Sequence, residues 1–567
     1  MDHTEGHLFA EACPGAGKTR AIVARYLRRT AEEPRKGVAL LSFTNAAIYE
    51  VKSRCGNMPD ALRAPHFVGT FDSFINRFIS RPLYVHYYGK TPRFIESWRD
   101  TKHGSFRLPD MDRLPDIQLD WFMFDYTSDG QLRATLMDAW ISSPSARLLK
   151  SYITANRSRL EERAVIRCRA LVTRNGLVSC AASRAMATNL LQRPAHAQRF
   201  GKLLANRFGE IIVDEAQDCG PEELLILKLL KQHGVTVVAV ADLDQSIYGF
   251  RRADPEGVRA FTGELGTPLA LNGNYRSSPA ICTMNNSLRS GARSETACGT
   301  NVSCGLPVLL LEYRKPDEVA ASVDGLLAVH ERPRDEAIIL AHREADAQAC
   351  AGAPSDRDSR SSQPILGIAW AHTIIRSGSS TTADRLRAIR MVEKTLRNAA
   401  NVDDEDETAL DAYWLRDAAY RLAASLNPTG STARVYAQKV RDYVRLIRWP
   451  DGITRKDNLG AFLKAPSTWP APDEDAAKVF QFATIHSVKG REFPTAIVVV
   501  PQSLRQDDDN EHVLDHWEHG RDTEARRVLY VGASRAQTLL ILAVHTDHAN
   551  RVAGLLKRDG VLYDLAS

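Results

Sequence analysis

A glycine-rich loop near the start of the chain has the residue types that hold phosphates. It reads "ACPGAGKT" at Ala12–Thr19. Gly15 and Gly17 let backbone N–H groups close around β- and γ-phosphates, and the helix that follows adds its positive N-terminal end. Lys18 is placed to reach the phosphates, and Thr19 to ligate Mg²⁺. The usual pattern begins with glycine where this segment has alanine, so the loop alone does not identify a nucleotide site.

Two acidic segments supply the groups that hydrolysis of a phosphate ester needs. In "VDEAQD" at Val213–Asp218, Asp214 can hold the metal and Glu215 can activate water. In "ADLDQSIYGFRRA" at Ala241–Ala253, Gln245 is placed to sense the group that the water attacks. A solvent-exposed acidic strand end would explain the first segment alone, but not its occurrence with a phosphate loop. Together the segments predict nucleotide hydrolysis.

Short apolar and β-branched runs, alternating with helical segments, must position these groups. Leu8–Ala12 leads into the loop, and Ala21–Leu27 then repeats at helical spacing, which gives the order strand, loop, helix. Runs of this kind are typical of buried parallel strands, so we predict an α/β fold. The other predicted strands are Val38–Phe43, Ile211–Val213, Val235–Val240, Ala337–Ala341, Ile497–Val500 and Leu539–Val544.

Two long stretches, 81–205 and 350–478, interrupt this alternation and are predicted to be mainly helical. Insertions of this size are subdomains rather than loops. Residues 146–209 contain thirteen Lys or Arg and two Glu. Two interpretations of this segment stay open, a solvated helical face and a surface that contacts phosphates. The aromatic-rich segment 84–126 is expected to form the core of the first insertion.

Composition sets the broad class of the protein. The 567 residues are 44% hydrophobic and 25% charged, which predicts a globular chain of several domains. No apolar run reaches the roughly 18 residues that a membrane span needs, and no charged and apolar leader opens the chain. Nine cysteines occur without CxxC pairs, as is typical of a reducing compartment. We therefore expect a cytoplasmic protein that does not contact membranes.

The order of motifs resembles that of superfamily 1 DNA helicases of the UvrD, Rep and PcrA type, over nearly all of the chain. Beyond the segments above, the matching motifs are "LSFTNAA" at Leu41–Ala47, "GTFDSF" at Gly69–Phe74, "LNGNYRSS" at Leu271–Ser278, "AIILAHRE" at Ala337–Glu344, "TIHSVKGREFP" at Thr484–Pro494 and "EARRVLYVGASRA" at Glu524–Ala536. The resemblance implies two RecA-like P-loop domains with parallel sheets, each carrying a mainly helical insertion. The implied regions are 1–80 and 206–275 for the first, ATP-binding domain, 81–205 for its insertion, 276–349 and 479–567 for the second domain, and 350–478 for its compact insertion.

The same resemblance assigns roles at the nucleotide. Arg276 and Arg535 resemble the arginines that neutralise transition-state charge, and with Glu215 and Gln245 they form the implied catalytic set. The implied cofactors are ATP and Mg²⁺. Within the site, Tyr275 would stack on the adenine, Arg20 would lie near the base, and Glu492 would contact the ribose. The nucleotide-binding set is Gly15, Ala16, Gly17, Lys18, Thr19, Arg20, Tyr275 and Glu492, and the metal ligands are Thr19 and Asp214.

Single-stranded DNA is the second implied ligand. Aromatic side chains along a track can stack on bases without reading their sequence. Phe43, Tyr248 and Phe250 match family positions that line such a track, and Thr70 belongs to a motif beside it. His486 lies between sensor and track in this family and is implied to couple hydrolysis to DNA movement.

The resemblance implies an ATP-dependent DNA helicase or translocase that moves 3′ to 5′ on single strands and at junctions of single and double strands. DNA repair and antiphage defence are both open as its role. One alternative is an ATPase that walks along single strands or senses DNA ends without useful unwinding. Another is a regulatory subunit of a separate nuclease, as in the compact UvrD-like subunit of the Gabija antiphage system. The compact size of the chain and the segments "ACPGAGKT" and "GTFDSF" favour that alternative.

Two departures from the family pattern carry expectations of their own. Asp72 stands where the family often has His. Family members also carry a Gln-containing segment upstream of the phosphate loop, which recognises adenine, and residues 1–8 contain no Gln. We therefore expect the chain as given to select ATP less strictly over other nucleotides, and an upstream segment bearing Gln to sharpen that preference.

Overall fold

The computed structural model describes residues 6–32, 35–56, 58–101, 103–111, 114–138, 149–247, 254–290, 294–353, 363–376, 382–401, 412–450, 452–466, 469, 479–503 and 511–566. Its contacts divide the chain into two compact units. The first comprises Met1–Val308, Leu504–Leu539 and Gly554–Tyr563, and the second comprises Leu309–Ser503, Leu540–Ala553 and Asp564–Ser567. The domain boundaries that the resemblance implies divide the chain differently and remain a prediction.

A six-stranded parallel sheet is the centre of the first unit. Its strands are β1 (Leu8–Ala12), β2 (Gly37–Ser42), β3 (Phe67–Thr70), β4 (Phe208–Val213), β5 (Thr236–Ala241) and β6 (Leu269–Leu271). The sheet order is β6-β1-β5-β4-β2-β3, and each neighbouring pair is parallel. The four strands predicted for this part of the chain are confirmed, and β3 and β6 were not predicted.

Both faces of this sheet are buried. Along β4, Ile211 and Val213 belong to one apolar core, whereas Ile212 between them belongs to the other. Alternate residues of a strand point to opposite faces, so a strand that is covered on both sides reads as a continuous apolar run. The helices of this unit outside the first inserted stretch are Lys18–Glu32, Asn45–Arg54, Pro221–Gln232, Pro255–Gly263, Pro279–Leu288, Val513–Glu518 and Glu524–Ala533.

The stretch between β3 and β4 has a core of its own. Trp98 and Trp121 are buried in it at 1% and 2% exposure, which confirms that the aromatic segment is core. Its helices are Phe71–Ile75, which continues through the π-helical turn Asn76–Ser80 into Arg81–Tyr88, then Lys150–Thr173, Cys180–Leu191 and Pro194–Arg207. It also contains paired short strands, Arg93–Ile95 with Leu177–Ser179, Ser105–Phe106 with Ile117–Gln118, and Phe122–Tyr126 with Leu132–Leu136.

A second six-stranded sheet follows. Its strands are β7 (Val308–Tyr313), β8 (Ala337–Ala341), β9 (Gln481–Thr484), β10 (Phe493–Val500), β11 (Ala536–His545) and β12 (Tyr563–Ala566). The order is β9-β8-β10-β11-β7-β12, with β7 parallel to β11 and β8 parallel to both β9 and β10. Strands β8, β10 and β11 contain the predicted runs. The two sheets confirm the predicted α/β class.

The rest of this part of the chain, including the second inserted stretch, is mainly helical. Four helices between residues 364 and 446 share a separate apolar core with Leu459 and Leu463. Within the described ranges, no helix has the length and apolar character needed to cross a membrane. The helices of this part are Pro316–Val329, Glu344–Cys350, Pro364–Arg376, Thr382–Ala399, Ala412–Ser425, Ala433–Leu446, Leu459–Phe462 and Thr546–Arg558.

Candidate active site

The carboxyl-terminal edge of the first sheet carries the predicted chemistry. Because the strands are parallel, β1 runs into the phosphate loop at the same edge where β4 ends in Asp214. The backbone N–H of Asp214 donates to the Leu41 carbonyl of neighbouring β2 at 2.8 Å. Ligands of open α/β sheets bind outside the carboxyl ends of the strands. The fold therefore brings the loop and the acid pair to one edge.

The backbone of the loop is shaped by its two glycines. Gly15 and Gly17 have φ angles of +69° and +75°, in the region that disfavours side chains. A Cβ on Gly15 would lie 2.5 Å from Asn274 Oδ1 and 2.6 Å from Arg276 Cβ, whereas at Gly17 it would meet nothing within 4 Å. Gly15 thus permits the Arg276 segment to approach the loop. Gly17 leaves open space at the start of the helix.

The remaining predicted loop residues lie at or just before the start of the helix that follows the loop. Lys18 and Thr19 open the helix Lys18–Glu32 and are half-buried, as is Ala16 before them. Arg20 is exposed on the same turn. Lys18 Nζ lies 4.0 Å from Glu215 Oε1, so the loop and the acid pair are in contact.

Asp214 and Glu215 have contrasting surroundings. Asp214 is 3% exposed, and its Oδ1 accepts the Glu215 backbone N–H at 3.0 Å. Glu215 is partly exposed and has a φ of +53°, rare for a residue with a side chain. Burial, and then the neighbouring Glu215 carboxylate, raise the pKa of Asp214 to about 7, although Lys18 opposes the shift. A buried carboxylate that is so short of positive charge is suited to a cation.

The donor set fits a magnesium ion. Mg²⁺ prefers oxygen ligands and usually keeps several waters, binding through one or two protein groups together with substrate phosphates. Thr19 supplies a hydroxyl at the helix start, and Asp214 supplies the buried carboxylate. Among the described residues, no group of three or more His, Cys, Asp and Glu side chains is gathered in a way that could hold a metal. Two protein ligands are what Mg²⁺ commonly uses when substrate phosphates and water complete its coordination.

A hydrogen-bonded chain connects Glu215 with Gln245, the predicted sensor. Gln217 Nε2 donates to Glu215 Oε2, and Gln217 Oε1 accepts the Asp242 backbone N–H at 3.2 Å. Asp242 Oδ2 then accepts from Gln245 Nε2 at 2.9 Å. Gln217, Asp242 and Gln245 are all at most 3% exposed. The hydrogen bond to Asp242 therefore holds the side chain of Gln245 in one orientation.

Both predicted arginines belong to the first unit. Arg535 is 1% exposed, and its Nη2 lies 3.4 Å from Gln245 Oε1. Arg276 Nη1 donates to the Ser534 carbonyl, next to Arg535, at 3.3 Å. Burial, and then the charge of Arg276, lower the pKa of Arg535 to about 10. Two guanidinium groups held near each other against their repulsion favour an anion between or beside them.

Other predicted site residues are less closely connected. Tyr275 is 62% exposed, beside the loop, where its N–H donates to the Gly15 carbonyl at 3.0 Å. Glu492 and His486 belong to the second unit. Glu492 is exposed, and the His486 ring lies 5.1 Å from the His342 ring in an edge arrangement.

Two of the predicted DNA contacts lie at the same sheet edge as the loop. Phe43 follows β2 and Thr70 ends β3, which pair in parallel. The Phe43 ring stacks on Phe71 at 5.8 Å, and Thr70 Oγ1 accepts the Ser73 backbone N–H at 3.1 Å. Phe43 is half-buried, so part of its face is available for stacking. Tyr248 and Phe250, the other predicted aromatic contacts, lie outside the described residues.

Two family models match this chain. Residues 1–265 match the UvrD/REP helicase N-terminal domain, and residues 382–547 match the UvrD-like helicase C-terminal domain. The chain belongs to the UvrD/Rep-type superfamily 1 helicases. This family consists of ATP-driven DNA helicases, which are hydrolases. The predicted resemblance is thereby confirmed.

Individual relatives of this helicase are distant. The chain is 24% identical to DNA helicase II of Salmonella typhimurium, over 94% of this chain and 82% of that protein. It is 26% identical to DNA helicase II of Escherichia coli K12, over 50% of this chain and 38% of that protein. The ATP-dependent DNA helicase PcrA of Staphylococcus epidermidis is 25% identical, over 49% of this chain and 37% of that protein. The chain thus spans less than half of the length of the second and third of these relatives.

Several residues that hold this helicase site together were not predicted. Gln217 and Tyr530 lie inside quoted motifs but had no assigned role. Asp242 begins the turn before Gln245. The sequence feature that could have identified it is its place as the acid at the end of an apolar run. Arg289 and Glu295 belong to no motif, and no feature of the sequence marks either as buried beside the site.

Proposed function

We propose that this chain hydrolyses ATP and couples the reaction to movement along single-stranded DNA, in the 3′ to 5′ direction. The observation that carries the proposal is the connected set Glu215, Gln217, Asp242, Gln245 and Arg535. It joins a partly exposed acid to a buried sensor amide and a buried arginine within one unit. A structural role alone does not require that an acid, an amide and an arginine be connected by consecutive contacts.

Each group has a defined task in hydrolysis. The loop N–H groups and Lys18 bind the phosphates and orient the terminal one. Glu215, exposed on one side and held by Gln217 on the other, accepts a proton from the attacking water. Arg276 and Arg535 neutralise the charge that develops on the transferred phosphoryl group, a contribution of about 10³–10⁵ in rate for comparable arginines.

Magnesium is part of the proposal. Thr19 and Asp214 would hold the ion, which supplies charge neutralisation at the phosphates when bound. Asp214 is kept in position by its backbone bond to β2 and by the N–H of the following residue. Lys18 Nζ lies 4.0 Å from Glu215 Oε1, so the loop places a positive charge beside the proposed base.

The proposed coupling to DNA depends on the carboxyl-terminal edge of the first sheet, where Phe43 and Thr70 lie. Both residues follow strands of the sheet that carries the phosphate loop, so a shift at the nucleotide can reach them through β2 and β3. Stacking of one base on an aromatic ring contributes about 1–3 kcal/mol. Tyr248 and Phe250 are proposed, from the sequence, to extend the stacking surface.

The test is ATP hydrolysis with and without single-stranded DNA, together with strand displacement on duplexes that carry a 3′ or a 5′ tail. We expect stimulation by single strands and displacement with the 3′ tail only. Phe43→Ala should reduce the stimulation, with basal hydrolysis unchanged within about twofold. Hydrolysis that does not respond to DNA, or displacement from the 5′ tail, would contradict the coupling or its direction.

A second candidate is a regulatory subunit of a separate nuclease. The observation in its favour is the small second insertion, whose described core is four helices with a short helix, Leu459–Phe462. Hydrolysis without strand displacement, and displacement or cleavage only after a nuclease partner is added, would support it. The biological role, repair or antiphage defence, and the cytoplasmic location also remain proposals.

A further inference from the structure

An arginine outside every motif lies at the centre of a buried group of acids. Arg289 follows the helix Pro279–Leu288 and is 5% exposed. Its Nη2 donates to Asp242 Oδ1 at 3.3 Å, its Nε lies 3.2 Å from Asp244 Oδ2, and its Nη1 lies 3.4 Å from Glu295 Oε2. One guanidinium therefore faces three carboxylates, with a different nitrogen atom toward each.

Asp242 connects this guanidinium to the sensor Gln245. Its Oδ2 accepts a hydrogen bond from Gln245 Nε2 at 2.9 Å and another from the Tyr530 hydroxyl at 2.8 Å. Since Nε2 is turned to Asp242, Gln245 Oε1 faces Arg535, whose Nη2 lies 3.4 Å away. The position of Asp242 thus decides which atom of the Gln245 amide faces the arginine.

Glu295 connects the same guanidinium to Arg276. Glu295 Oε1 accepts from Asn274 Nδ2 at 2.9 Å and from Asn285 Nδ2 at 2.8 Å. Asn274 Oδ1 in turn accepts the backbone N–H of Arg276 at 2.8 Å. Asn274 Oδ1 is also the atom that a Cβ on Gly15 would approach to 2.5 Å. The backbone at Arg276 is therefore fixed between Glu295 and the phosphate loop.

The charge of Arg289 makes these buried acids compatible with one another. Carboxylates that share a dry space repel, and burial favours their neutral forms. Arg526 is also near, but its guanidinium donates to the carbonyl oxygens of Ser287 and Arg289, at 3.4 and 2.6 Å. Burial raises the pKa of Glu295 even with Arg289 in place. Without the arginine, the acids would lose the positive charge that offsets their mutual repulsion.

We propose that Arg289 is a positioning residue for nucleotide hydrolysis, holding Gln245 through Asp242 and Arg276 through Glu295. The inference rests on the hydrolysis proposed above. Arg289 acts on the groups that respond to the transferred phosphoryl group, and not on the loop that binds the phosphates. Its loss should therefore lower kcat with little change in KM for ATP.

Two substitutions at Arg289 should lower kcat to different extents. Arg289→Lys keeps the charge but replaces a planar set of donors by one ammonium, and Arg289→Met removes both. We expect kcat to fall roughly tenfold for Lys and roughly hundredfold for Met, because a misplacement of about 1 Å costs about that much in rate. KM for ATP should change by less than about threefold.

The control is another buried arginine of the same unit. Arg25 is 1% exposed and pairs with Glu210 at 2.7 Å, away from the motifs of the site. Arg25→Met should lower the melting temperature, because Glu210 then keeps Arg29, at 3.1 Å, but not Arg25 as a charged partner. Its kcat per folded molecule should stay within about twofold of wild type.

A double substitution separates positioning from general loss of structure. If Arg289 acts through Gln245 and Arg276, then Arg289→Lys should lower kcat by a smaller factor in a Gln245→Ala background than in wild type, because only the connection to Arg276 remains. Because Arg289→Lys keeps the charge, it decides the question if Arg289→Met does not fold. Wild-type kcat in Arg289→Lys, full additivity with Gln245→Ala, or an equal loss of kcat in Arg25→Met would overturn the inference. Wild-type protein that hydrolyses no ATP would overturn the proposed function as well.

Discussion

Alanine substitutions at two glycines of the phosphate loop can separate the energetic cost of backbone strain from the cost of a packing collision. Gly15 and Gly17 have φ angles of +69° and +75°, so alanine costs about 1–2 kcal/mol at either position. Only at Gly15 would the new Cβ collide, at 2.5 Å from Asn274 Oδ1 and 2.6 Å from Arg276 Cβ. Relief of such a collision costs a further ~1–3 kcal/mol. We expect Gly15→Ala to lower the free energy of unfolding by about 2–5 kcal/mol, and Gly17→Ala by about 1–2 kcal/mol.

The assay is denaturant-induced unfolding of the nucleotide-free protein. Nucleotide is left out because phosphates would contact the loop at Gly17 and add an effect of binding. In the same preparations, Gly15→Ala should lower kcat by up to about a hundredfold, since the Arg276 segment must move away from the loop. Equal destabilisation by the two alanines would refute the close approach of that segment.

Three further substitutions test separate parts of the account. Asp214→Asn should abolish ATP turnover yet raise the melting temperature of the nucleotide-free protein, because the folded pKa of about 7 means that ionised Asp214 opposes folding. The gain should be small near about pH 4 and grow as pH rises to about 7, and a gain independent of pH would contradict the assignment. Arg25→Met should destabilise by about 1.5–3 kcal/mol, because Glu210 loses its hydrogen bonds to Arg25 but keeps Arg29 at 3.1 Å, and a fall in kcat per folded molecule would count against its purely structural role. Tyr275→Ala should raise KM for ATP by about 5- to 100-fold with kcat unchanged if the ring stacks on the base, and an unchanged KM would exclude such stacking.

Local patterns predicted the parts of the fold that depend on neighbouring residues. β1 and β8 coincide with predicted runs, because strands buried on both faces are continuously apolar. β7, "VLLLEY" at Val308–Tyr313, was missed although it is apolar, since a short leucine-rich run is equally compatible with a buried helix segment. The short strands within 93–136 were missed because two to five residues give too little periodicity.

Residues of the candidate site could be predicted from the sequence where a single segment of the chain carries out a single task. The phosphate loop, Asp214, Glu215 and Gln245 each follow a strand end, which is why their positions could be inferred. Arg289 could not be inferred, because arginine is rarely buried and nothing local marks the exception. Its partners Asp242 and Asp244 are more than forty residues earlier in the chain, so the pairing exists only in the folded protein.

The central claim is that Glu215 activates the attacking water while other groups bind the nucleotide. The direct measurement is single-turnover ATP hydrolysis by Glu215→Gln, with nucleotide affinity measured in parallel. The amide keeps the shape and the contact with Gln217 but loses basicity, so hydrolysis should fall by about 10²–10⁴-fold. Affinity for Mg·ATP should stay within about threefold of wild type. Hydrolysis within about twofold of wild type would contradict the assignment of Glu215, and with it the mechanism proposed for this site.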